Sequence, residues 1–254
     1  MPACAARDLQ IKIFSCIESG LVDFLSPRGL TEDEVHIWKA HGEFEPNVLA
    51  ELKKSLSEDE LQKAARFRFV KDLNRFITSR GMLRKFVGKY LGRDPRSVSF
   101  CFSENGKPEL AGMDDALRFN VAHSGNLIVW GFARNRRLGI DVELIRVDFG
   151  VSEIAERFFS AAEQTALRTL PKAQQHEAFF RCWARKEAYV KATGDGLSLP
   201  LDQFDVTLTP GQPACLLGTR PDRDEAARWV MESLDLGPGY AAALVLERQN
   251  SSKR

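Results

Sequence analysis

The chain has 254 residues, 44% of them apolar and 28% charged, enough for one large globular domain or two modest ones. Its 36 basic and 35 acidic residues leave a net charge of +1, which argues against a nucleic-acid partner, since such a partner needs a wide basic footprint. No apolar run is long enough to span a membrane, and Cys4, Cys16, Cys101, Cys182 and Cys215 are odd in number with no C-x-x-C spacing, so a reduced, cytoplasmic protein away from the membrane is expected.

Residues 1–34 are mixed in pattern and read as an N-terminal extension, in which Ile11, Ile13 and Ile17 fit either a short strand or a helix; Arg7, Asp8, Lys12 and Glu18 break up any signal-peptide core. Val35 to Trp38 reads as a strand and Leu49 to Leu56 as a short amphipathic helix. Ser57 with Glu60 three residues on is a capping box opening a second helix. Phe76, Ile77, Leu83, Phe86, Val87 and Tyr90 then recur at helical spacing, predicting a long helix from Lys71 to Leu91 that Gly92 and Pro95 end. Strands follow at 98–102, 118–121 and 127–133, with a turn at Asn105-Gly106.

The order of features then repeats at an offset of roughly a hundred residues, the signature of duplicated architecture. Leu138 to Glu143 matches the first strand, Ser152 to Phe159 the first helix, and Ser160 with Glu163 is a second capping box. Arg181 to Glu187 matches Arg66 to Asp72, and strands at 204–208, 229–234 and 240–246 match the last three of the first half. The reading is an α+β (α/β) protein of two pseudo-symmetric halves, 35–133 and 138–247, each a small, mainly antiparallel sheet packed with helices. The active site is expected in the cleft between them, and residues 248–254 form a polar tail.

Within the second long helix, Trp183, Glu187 and Lys191 share one face at four-residue spacing. Glu187 and Lys191 alone would pass for a surface ion pair, but the tryptophan argues for a partly buried face. On the strand 138–143, Asp141 and Glu143 point to the same side. Like charges on one face repel, so a cation is a sensible third partner, and three carboxylates with room for a pyrophosphate suit magnesium. Phosphate calls for positive charge and backbone donors; Lys63, Arg75, Lys107, Lys186 and Lys191 are the candidates, each also explicable as a solvated charge. The loop from Asn120 through Ala122 and His123 to Gly125 could let backbone amides approach a phosphate.

Asn-Gly-Lys-Pro (105–108), Phe-Asn-Val-Ala-His-Ser-Gly (119–125), Gly-Ile-Asp-Val-Glu (139–143), Phe-Phe-Ser-x-x-Glu (158–163) and Trp-x-x-Lys-Glu-Ala-x-x-Lys (183–191), in this order, resemble the Sfp-type 4′-phosphopantetheinyl transferases over roughly residues 35–210. Ala122 departs from the pattern, which usually has serine before the histidine. The resemblance implies transfer of phosphopantetheine from coenzyme A to a serine of an apo acyl, peptidyl or related carrier protein, releasing adenosine 3′,5′-bisphosphate. It implies magnesium on Asp141, Glu143 and Glu187, with Glu187 taking the serine proton and Lys186 and Lys191 serving the leaving phosphate. Lys63, Arg75, Lys107, Asn120, Ala122, His123 and Lys191, with Asp141, would hold the coenzyme, and Trp183 would pack the helix. Because both halves lie in one chain, a monomer is expected.

Overall fold

The computed structural model describes residues 9–16, 29–42, 44–112, 116–220 and 222–249. Most of the expected N-terminal extension, including Ile17, and the tail from 250 onward lie outside the described residues.

A short strand β1 (Gln10–Ser15) precedes β2 (Glu34–His41), and three helices follow, α1 (Pro46–Lys54), α2 (Glu58–Ala64) and α3 (Val70–Leu91). Four strands complete the first half: β3 (Phe100–Phe102), β4 (Pro108–Leu110), β5 (Leu117–Ser124) and β6 (Leu127–Arg134). The second half runs through the same order: β7 (Leu138–Leu144), α4 (Val151–Phe158), α5 (Ala161–Thr169), α6 (Lys172–Thr193), β8 (Phe204–Val206), β9 (Leu216–Thr219), β10 (Trp229–Ser233) and β11 (Tyr240–Glu247).

Hydrogen bonding repeats with the order. In the first half β2 pairs antiparallel with β6, and β6 with β5. In the second, β7 pairs antiparallel with β11, and β11 with β10. β3–β4 and β8–β9 are small antiparallel hairpins. The fold is therefore α+β in two pseudo-symmetric halves. β1 stands outside the repeat: it lies parallel to β2 and extends the first sheet to four strands.

Local sequence chemistry explains the element ends. Ser57 donates its backbone N–H to Glu60 Oε2 (3.0 Å) and Ser160 does the same to Glu163 Oε2 (2.9 Å), so each capping box opens its helix. The two long helices each stop on a left-handed glycine, Gly92 (φ 64°) and Gly194 (φ 85°), a conformation in which a side chain would strain the backbone. β4 and β9 are too short to show a periodicity in sequence, and each forms by completing a hairpin.

Each half has its own core. Trp38, Phe86, Trp130 and Phe132 centre the first, and Phe179, Tyr189, Phe204 and Val245 the second. A third buried cluster, including Ile37, Val129, Ile140, Val142 and Leu244, joins the two sheets. Gly139 allows the closest approach: a Cβ there would lie 2.0 Å from the Ala188 carbonyl oxygen, so β7 can lie on α6 only with glycine at this position. Among the described residues no helix is long and apolar enough to cross a membrane.

Candidate active site

The contact of Gly139 with α6 fixes which way β7 faces. Strand side chains alternate, so Asp141 and Glu143 lie on the same side as Gly139, toward the helix that carries Glu187 and Lys191. Ile140 and Val142 point the other way, into the core between the sheets.

Asp141 is 5% exposed. Its Oδ1 accepts a hydrogen bond from Lys191 Nζ at 2.6 Å, while Oδ2 is buried without a partner. Burial raises its pKa to about 7; the Lys191 ammonium opposes the rise, and the neighbouring carboxylates of Glu143 and Glu187 add to it. Half-buried Glu187 is raised as well, first by burial, with Lys191 lowering and Glu143 raising it. Glu143 is held from the first half: its Oε2 accepts from Ser124 Oγ at 2.8 Å, and that oxygen accepts from Leu144 N at 3.0 Å. The three acids therefore feel one another across β7 and α6. As the side chains stand, no group of three His, Cys, Asp or Glu among the described residues is close enough to hold a metal ion. Lys191 supplies the positive charge beside Asp141.

Positive charge meets the acids from the first half. His123 stands exposed near the end of β5; its pKa is lowered by partial desolvation, then by the nearby charges of Arg75 and Lys191, which places the imidazole beside these two cations. Arg75 also pairs with Asp72 at 2.7 Å and lines a separate cavity of about 320 Å³. Lys63 is exposed, its ammonium 5.6 Å from the centre of the Phe76 ring.

A larger cavity of about 740 Å³ opens beside the acids. Asn105, Lys107, Asn120, Glu187 and Lys191 line its polar side, and Phe158, Trp183, Val190, Leu199 and Leu201 contribute an apolar side with Arg157. Trp183 thus lines the cavity in addition to packing: its ring stacks on Phe179 (5.9 Å between centres) and meets Phe158 edge-on (5.7 Å).

Four expected site residues make protein contacts that the sequence did not show. Lys186 is fully buried, and its three N–H donors are taken by Glu163 Oε2 (2.8 Å) and the carbonyls of Leu201 (2.6 Å) and Phe204 (2.7 Å), so it has none left for a leaving phosphate. Glu163 is fixed in turn by the backbone N–H of Val206 at 2.8 Å. Ala122 is 4% exposed and packs in the core between the sheets, so a side-chain contact to a ligand is lost there and only its backbone remains. Asn120 Oδ1 accepts from Ile140 N at 2.9 Å and joins the two halves. Lys107 is turned onto main-chain carbonyls, Leu138 at 3.2 Å and Lys191 at 2.5 Å, and burial brings its pKa down to about 8.

Sequence reasoning missed Ser124 as the holder of Glu143, Glu163 as the partner of Lys186, and the apolar wall with Arg157. Ser124 and Glu163 both lie inside motifs that were visible. Their partners come from elements distant in sequence, so spacing could not pair them.

Two family models match the chain in succession, the 4′-phosphopantetheinyl transferase N-terminal model over residues 44–133 and the 4′-phosphopantetheinyl transferase superfamily model over residues 137–245. The 4′-phosphopantetheinyl transferase HetI of Nostoc sp. is 41% identical over 189 residues, covering 74% of this chain and 79% of that protein. The 4′-phosphopantetheinyl transferase Sfp of Bacillus subtilis is 32% identical over 191 residues, covering 74% and 81% respectively. A solved Chronobacterium ammoniagenes ACPS–CoA complex aligns at 18% identity and a TM-score of 0.33, over 45% of this chain and 98% of that one. The two successive family matches define the class, a 4′-phosphopantetheinyl transferase. The chain belongs to the 4′-phosphopantetheinyl transferase superfamily and is a phosphopantetheinyl transferase of the Sfp and HetI type.

Proposed function

We propose that this enzyme transfers 4′-phosphopantetheine from coenzyme A to a serine hydroxyl of an apo acyl, peptidyl or related carrier protein, releasing adenosine 3′,5′-bisphosphate, with magnesium required. The observation that carries the reading is the set of Asp141, Glu143 and Glu187, mutually repelling across β7 and α6, with Arg75, His123 and Lys191 close by.

The chemistry of these donors suits a divalent cation, for which the three side chains would have to draw together. Asp141 Oδ2 is buried and unpartnered, and Glu143 and Glu187 both raise Asp141, so a positive ion among them relieves both costs. Asp141, Glu143 and Glu187 would hold it, and bound there it supplies charge neutralisation at the coenzyme's pyrophosphate.

The chain's own residues do the rest. Arg75 and Lys63 offer positive charge to the coenzyme's phosphates from the first half, and the His123 imidazole, held toward its neutral form, offers a ring N–H donor. The serine oxygen bonds to the phosphorus that bears pantetheine, and the bond from that phosphorus to the bridging oxygen breaks, so the nucleotide departs with its electron pair. Glu187, whose pKa burial has raised, accepts the serine proton. Lys191, on the next turn of the same helix, offsets the charge gathering on the leaving phosphate. The apolar side of the large cavity accommodates the pantetheine arm.

The test is intact-mass spectrometry of an apo carrier protein incubated with the enzyme, coenzyme A and magnesium. The expected result is a gain of one phosphopantetheine, lost on adding chelator and abolished in a folded Glu187→Gln variant. No gain on acyl and peptidyl carriers, with coenzyme A still bound, would leave a coenzyme-binding protein without transferase activity toward them.

A further inference from the structure

The turn between β3 and β4 belongs to the first half but is fastened to the second. Lys107 Nζ donates to the carbonyl oxygens of Leu138 (3.2 Å) and Lys191 (2.5 Å), and Asn105 Nδ2 donates to the carbonyl oxygen of Gly194 (2.9 Å). The turn is itself braced: Ser103 Oγ accepts from Lys107 N at 3.1 Å, and Gly106 adopts φ 78°. The fit is close, since a Cβ at Gly196 (φ 57°) would come within 3.0 Å of Asn105 Cβ.

The acceptors are significant. A helix leaves its last carbonyls without intrahelical partners, and α6 ends at Thr193 with Gly194 as its left-handed stop. Lys107 satisfies one of these terminal carbonyls, that of Lys191, and Asn105 holds the carbonyl of the stop residue Gly194, while the ammonium meets the negative end of the helix dipole. The same last turns of α6 carry Glu187 and Lys191. The backbone carbonyl of Lys191 is therefore gripped by the first half while its side chain holds Asp141 of the second.

We infer that Lys107 and Asn105 form a latch between the halves that sets the position of the Glu187–Lys191 turn, making them positioning residues for the transfer and not ligands of a phosphate. The inference rests on the transferase reading for its kinetic part. Loss of a charge-assisted hydrogen bond at this part-buried helix end, expressed in alignment, lowers the rate roughly ten- to hundredfold.

The experiment compares the full-length enzyme with Lys107→Met, Lys107→Arg and Asn105→Ala. Coenzyme A binding is followed by calorimetry, carrier modification by steady-state kinetics, and amide hydrogen exchange over residues 188–196 by mass spectrometry. Lys107→Met should lower kcat at least tenfold, with coenzyme A affinity within about threefold of the parent and faster exchange at the end of α6. Lys107→Arg, which can still donate to both carbonyls, should recover much of kcat, and Asn105→Ala should move the same readouts less. Weaker coenzyme binding in proportion to the lost activity, with exchange unchanged, would overturn the latch and make Lys107 a phosphate ligand. Should the parent enzyme modify no carrier, the transferase reading fails, while the exchange comparison still decides whether the turn holds α6.

Discussion

Lys186 and Glu187 are neighbours in sequence with opposite fates. Successive helical residues are rotated by about 100°, so a helix that presents Glu187 to the cavity turns Lys186 into the protein. There it forms a buried ion pair with Glu163, with every donor satisfied. Removing one partner of such a pair strands the other's charge, and Lys186→Met should cost about 3–5 kcal/mol of stability, read from urea midpoints. Adding Glu163→Gln, which can still accept from Val206 N, should restore part of the loss; a single variant as stable as the parent would remove the pair from the structural account. Period-2 and period-3.6 spacing did bring Asp141, Glu143, Glu187 and Lys191 to one place, because those rules fix faces. They could not say how the faces rotate against their neighbours, and so could not show that Lys186 is buried against Glu163, that Ala122 packs between the sheets, or that Lys107 Nζ donates to main-chain carbonyls.

At the scale of elements, the long helices, both capping boxes and most strands were legible, because they carry end signals and enough residues to show a period. β1 was not: Ile11 and Ile13 suit strand or helix equally, and what decides is its partner, β2. Phe14 of β1 stacks on Trp38 (4.5 Å between ring centres) and meets His36 edge-on (5.3 Å), covering a small polar cluster. Trp38 Nε1 donates to the Tyr90 oxygen at 3.0 Å, and that oxygen shares a hydrogen bond with His36 Nδ1 at 2.8 Å. The other ring nitrogen, Nε2, is buried 3.4 Å from Glu34 Oε2. Burial lowers the His36 pKa; Glu34 opposes this and Lys12, which pairs with Glu34, adds to it. The unfolded chain then takes up a proton more readily than the folded one. The stabilisation is complete above the ordinary histidine value of about 6.5 and is lost as the pH falls from there through the lower folded value. Urea midpoints across this range should therefore decline toward acid in the parent and decline less in His36→Asn, which keeps a hydrogen-bonding group for Tyr90. Parallel curves would show that the ring's protonation is not linked to folding.

For the whole molecule, the repeated order of elements has a consequence for assembly. The acids at 141, 143 and 187 come from the second half, while Ser124, His123 and Arg75 come from the first. The halves are bonded to each other at Asn120–Ile140 and Lys39–Leu236, and they share a buried apolar core running through Ile37, Val129, Ile140 and Leu244. A cleft that a protein of half this length would have to build between two subunits is thus assembled inside one chain. The core between the sheets already buries the apolar faces that would otherwise drive association. The enzyme should therefore sediment at the mass of a single chain, and its specific activity should stay constant on dilution from micromolar to nanomolar concentration. An assembly whose activity falls as it dissociates would mean that a second copy completes the site, and that the pairing of halves within one chain does not suffice for catalysis.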